Sequence, residues 1–138
     1  MLIEKITEKM ISNPKKLFVI DGLGAILSAF LLGVVLVKYE SVFGIPPPTL
    51  YFLATMPVFF AIYDLYSYIR GNEHADRHLR IIAIVNLLYC CLSIGFAFYH
   101  FDTITILGWS YILIEIVIVV VLAMVELKTA KRLTSFPG

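Results

Sequence analysis

Four long apolar runs, separated by short segments that hold nearly all the charge, set the pattern of this chain. The runs are Leu17 to Val37, Leu50 to Ile69, Ile81 to Tyr99 and Ile104 to Val125. A bilayer core about 30 Å thick needs roughly 20 helical residues at about 1.5 Å each, so every run predicts one membrane span. The expected fold is all-α: an integral-membrane, antiparallel four-helix transmembrane bundle forming a single domain over residues 1–138. Asn13-Pro14 is expected to start the first helix, a capping side chain followed by a proline at the first helical position. Gly44-Ile45-Pro46-Pro47-Pro48 cannot continue a helix and predicts a stiff connection, and Gly71-Asn72 ends the second helix. Pro57, inside the second run, predicts a kink. Only Phe101-Asp102-Thr103 or so separates the third and fourth runs, which suits a tight hairpin.

Ahead of these runs, Leu2, Ile3, Ile6 and Met10 fall on one helical face and Glu4, Lys5, Glu8 and Lys9 on the other. That pattern predicts a short amino-terminal interfacial helix lying on lipid headgroups, with docking to a partner as the alternative. Lys15 and Lys16 precede the first run as in a secretory signal. The run is about twice the length of a signal's apolar region and no small-x-small site follows it, so an anchor is expected.

Charge orients the expected bundle. Ten of the eleven Lys and Arg residues lie in the amino-terminal segment (Lys5, Lys9, Lys15, Lys16), the middle loop (Arg70, Arg77, Arg80) or the tail (Lys128, Lys131, Arg132), and Lys38 alone lies on the other side. The positive-inside rule then places both termini in the cytoplasm, with Tyr39, Tyr51, Tyr99 and Trp109 near the outer interface. The apolar fraction of 60% and mean hydropathy of +0.91 agree with a membrane protein. No basic groove or stacking motif points to nucleic acid. Cys90 and Cys91 are adjacent within an apolar run and read as small buried side chains. No zinc spacing, cofactor motif or catalytic motif is present, and no metal or cofactor is expected.

Polar residues inside the runs are the candidate chemistry, since such groups are costly in lipid and face the bundle interior. There is one in each run: Asp21, Asp64, Asn86 and Glu115. Counting from the cytoplasmic ends puts the first three in one layer, about 6–8 Å inside the boundary at the usual helical rise. Glu115 is deeper, near the midplane, where an ionised carboxylate costs roughly 2–3 kcal/mol or more, so it needs a proton or a hydrogen-bond donor. Asp21 shares its face with Gly24, Ala25 and Ser28, and an Ala25, Ala29, Gly33 stripe allows close helix approach. Asn86 aligns with Tyr89, Cys90, Ser93 and Ala97. Tyr111 lies one turn before Glu115, and Tyr68 one turn after Asp64. The candidate ligand-binding or proton-carrying set is therefore Asp21, Asp64, Asn86, Glu115, Tyr68, Tyr89 and Tyr111, with hydrogen-bonded glue between helices as the competing reading.

Glu73-His74-Ala75-Asp76-Arg77-His78, if helical, puts His74 and His78 on one face, and also Glu73 with Arg77 and Asp76 with Arg80. Salt-bridge lacing of an exposed helix is the expectation. His100 reads as an interfacial residue at the outer end of the third helix.

The runs Lys16-Leu17-Phe18-Val19-Ile20-Asp21-Gly22-Leu23-Gly24-Ala25 and Ile81-Ile82-Ala83-Ile84-Val85-Asn86-Leu87-Leu88-Tyr89-Cys90 resemble a group of small bacterial four-span proteins. The resemblance implies a bacterial inner-membrane location and no mechanism. Three functional expectations follow from the polar set: binding or transport of a small amphiphile or lipid, a structural or accessory membrane subunit, or a membrane-embedded enzyme acting on a lipidic substrate. Expected partners are membrane lipids, a small amphiphilic ligand and a second copy in a homodimer. Cysteine-accessibility labelling should place Met1, the middle loop and Gly138 on the cytoplasmic side and Gly44 to Pro48 outside. Labelling of a residue between Asn72 and Arg77 from outside intact cells would overturn the depth ordering.

Overall fold

A computed structural model describes residues 2–71 and 73–135, and all its regular elements are helices. Asn72 and the terminal Met1 and Gly138 lie outside the described residues. Helix α1 (Leu2–Ser12) precedes α2 (Lys15–Phe30), which runs through a π turn (Leu31–Val35) into α3 (Leu36–Lys38). A short α4 (Glu40–Phe43) leads to α5 (Pro47–Arg70), α6 (Ala75–Tyr99) and α7 (Ile106–Ser135). Four stretches are long and apolar enough to cross a membrane: Lys15–Lys38, Pro47–Arg70, Ala75–Tyr99 and Ile106–Thr134.

The ends depart from expectation for physical reasons. Asn13 does not cap α2; Pro14 takes the cap position without a side-chain bond, and the backbone oxygens of Asn13 and Pro14 accept from Lys16 and Leu17. Helix α5 begins at Pro47 rather than Leu50, because a first-turn residue needs no amide hydrogen. It continues through Pro57. Gly71, at φ +70°, ends it. Helix α7 extends ten residues beyond the apolar run that predicted it, through Lys128, Lys131 and Arg132. Basic side chains suit the negative end of a helix dipole. His74 is left-handed at the cap of α6, so His74 and His78 share no helical face. The expected i, i+4 pairs do not form: Arg70 bridges Glu73 at 3.2 Å, while Thr134 donates to Asp76 and accepts from Arg80.

Helix α2 packs along α5, and α6 packs along α7. Two apolar clusters hold the bundle. One gathers Leu32, Leu36, Ile45, Leu50, Leu53, Ala54, Ala97 and Ile112. The other gathers Leu17, Phe18, Leu79, Val125 and Ala130, and onto it fold Ile3, Ile6 and Met10 of α1. The amphipathic helix expected on headgroups thus seats its apolar face on the bundle, chiefly on α7. The small-residue stripe is used internally, with Gly33 close to Ala54.

At one end the two pairs are stitched together. Thr105 donates its amide to the Phe43 carbonyl at 3.1 Å and its hydroxyl to Val42 at 2.5 Å. Two glycines make this approach possible. A Cβ at Gly108 would collide with the Phe43 carbonyl, and one at Gly44, whose φ is +74°, would collide with the Thr103 carbonyl. Gly44→Ala and Gly108→Ala should each lower unfolding stability by about 2–4 kcal/mol. Gly95→Ala, where a Cβ meets nothing within 4 Å, should be neutral or gain up to about 1 kcal/mol. Comparable losses at all three positions in thermal unfolding would refute the stitch.

Candidate functional site

Between the two apolar clusters lies a polar layer to which every long helix contributes. Its hub is Asn86 on α6. The amide Nδ2 donates to Asp21 Oδ1 of α2 at 2.7 Å and to Glu126 Oε1 of α7 at 3.4 Å. Asp64 of α5 completes the group: a Cβ built on Gly22, beside Asp21, would sit 3.3 Å from the Asp64 Cβ. Glycine at position 22 lets α2 and α5 approach closely enough to bring the two aspartates together. Glu126 is fully buried and Asp64 is 1% exposed.

Donors are scarce here. Asp21 Oδ2, both Asp64 oxygens and Glu126 Oε2 have no hydrogen-bond partner. Among the described residues no Lys, Arg or His side chain pairs with these acids. Three carboxyl groups around a single amide need protons or a cation to share the space, because close like charges in a poorly solvated site repel strongly.

Glu115 is held in the opposite way. Ser28 donates to Oε2 at 2.6 Å, Tyr111 to Oε2 at 2.8 Å and Tyr89 to Oε1 at 2.7 Å. Both oxygens are served by hydroxyls from α2, α6 and α7. Tyr68 is not part of either group; its exposed ring lies under the Lys15 ammonium, 4.7 Å from its centroid. Tyr63 instead bonds His78 Nδ1 at 2.8 Å.

A cavity of about 360 Å³ joins the two polar groups. Asp21 and Asn86 line one end, Ser28, Tyr89, Tyr111 and Glu115 the other, and Asp64 and Glu126 stand behind the wall. Pro57 and Phe60 of α5 form part of its apolar lining. Helices α2 and α7 do not pack closely along their length, and Leu27, Ile114 and Ile118 at the rim are 58%, 61% and 62% exposed. The cavity therefore opens sideways, between α2 and α7.

Glu126 was missed by the sequence reading because it follows the last apolar run by one residue and looks like part of the charged tail. Its spacing carried a signal: it lies eleven residues after Glu115, three helical turns along the same face. The other missed links are Ser28, placed with Asp21 by register, and Tyr89, placed with Asn86; both bond Glu115. No family model, curated protein or solved structure matches the chain.

The two acid groups should respond differently to loss of a donor. Asn86→Leu strips the amide that donates to two buried acids and should cost about 2–3 kcal/mol. Ser28→Ala or Tyr111→Phe leaves Glu115 two hydroxyls and should cost about 1 kcal/mol each. Thermal unfolding in detergent checks the ranking, and a smaller loss for Asn86→Leu than for either hydroxyl deletion would contradict it.

Proposed function

We propose that this chain is a multi-pass protein of a bacterial inner membrane that binds a small amphiphile drawn sideways from the lipid. In this reading the four long helices form an antiparallel transmembrane bundle with both termini in the cytoplasm. The cavity between α2 and α7 is the binding site. One observation carries the reading: an apolar space of about 360 Å³ has a polar group at each end and a rim that faces outward. A site of this size with few convergent polar groups suits a small ligand. An amphiphile already partitioned into the bilayer would reach it without crossing the polar layer.

A second reading, a structural membrane subunit, is favoured by Glu115. Its three hydroxyl donors satisfy both oxygens and tie α2, α6 and α7 together, which is what glue between helices requires.

Gly24 separates the two. It lines the cavity, and a Cβ there meets nothing within 4 Å. Gly24→Phe should fill the space without displacing packed atoms. An octanol carrying a diazirine should label the peptides bearing Leu27, Leu31 and Ile118 in preference to exposed Phe59 on α5. Gly24→Phe should abolish that preference and leave the melting temperature unchanged. Equal labelling of all apolar faces, or labelling indifferent to Gly24→Phe, would favour the structural reading.

A further inference from the structure

The amphiphile-binding reading leaves the ligand's head undefined, and the two ends of the cavity differ enough to define it. At the Glu115 end three hydroxyls already donate to the carboxyl oxygens, so a ligand head there would have to displace an existing donor. At the Asp21 end a carboxyl oxygen is without a partner, and behind it Asp64 and Glu126 hold three more such oxygens at 1% and 0% exposure. Asp64 is close to Asp21 through Gly22, and its carboxyl interacts with that of Asp21. Among the described residues no Lys, Arg or His lines the cavity. An anionic head would meet only repulsion, whereas a cationic head would offset the charge of the acid group. The acidic side chains of the described residues are not grouped to ligate a metal ion, and the remaining wall is apolar.

Resting on that reading, we propose that the ligand is a lipophilic organic cation whose head docks against Asp21 and Asn86, and that protons compete with it. Its apolar body lies toward Leu31 and Phe60. Asp21 makes the contact. Asp64 and Glu126 are positioning residues that hold the protons the cation displaces: carboxyl O–H bonds break as the cation enters, and the protons leave to water. The groups that face this exchange are Asp21 on α2, Asp64 on α5, the Asn86 amide on α6 and Glu126 on α7. Nearby Tyr63 and His78 are paired with each other.

The test compares the diazirine octanol with an octyltrimethylammonium ion carrying the same diazirine, on the full chain in lipid nanodiscs. Labelling at Leu27 and Ile118 is normalised to that at Phe59. The fixed charge of the quaternary ammonium makes any pH effect a property of the protein. The cation should outlabel the alcohol about tenfold, the scale of one ion pair in a poorly solvated site. Its advantage should fall as pH is lowered, while alcohol labelling stays constant. Asp21→Asn should remove the advantage, and Glu126→Gln should flatten its pH dependence while retaining labelling. Equal cation and alcohol labelling of the cavity, or a cation advantage independent of pH, overturns this inference and leaves amphiphile binding standing. No cavity labelling by either probe sinks both. The wild-type comparison decides the matter even where a variant fails to fold.

Discussion

One side-chain amide organises the interior of this protein. Among the described residues Asn86 is the one side-chain amide that donates to Asp21 and Glu126, and through it α2, α6 and α7 meet at one point. In an apolar surrounding an unpaired polar group is expensive, so the positions of the acids are fixed by where that amide can reach. The apolar clusters lie to either side of this layer. Gly22 follows from the same constraint, because Asp64 joins the group only if α5 approaches α2 closely.

The two acid groups illustrate how environment decides the meaning of a carboxyl group. Glu115 lies among hydroxyls and needs nothing further; it ties helices together. Asp21, Asp64 and Glu126 have more acceptor oxygens than donors, and their balance must come from protons or from an incoming cation. Position along the helices alone does not separate these cases. Donor supply does.

Much of the layout was legible in the sequence. Four apolar runs gave the four long helices, since length and hydropathy are sufficient for that. Counting turns from the charged ends put Asp21, Asp64 and Asn86 at one level, where the structure brings them together. Tyr111 lay at the right spacing to reach Glu115, one turn before it on the same helix. The failures lie where tertiary contact overrides local pattern. Glu126 was hidden because an apolar run does not mark the end of a helix that a second element can cover, and α1 does that here. Tyr68 has helical register with Asp64, but a one-turn offset fixes a face only loosely, and its ring turns outward to Lys15. Asn13 lost its capping role because Pro14 occupies the cap position.

The side-by-side association of α2 with α7 differs in kind from the packing within each pair. Within the pairs, many atoms interlock over the length of two helices. Beside the cavity, α2 and α7 are connected by discrete hydrogen bonds, Ser28 to Glu115 directly and Asp21 to Glu126 by way of Asn86. Beside the cavity these hydrogen bonds resist parting at about 1 kcal/mol each, while the apolar clusters at either end hold the pairs together. The bundle is therefore mechanically anisotropic, stiff within each pair and compliant across the boundary that contains the cavity.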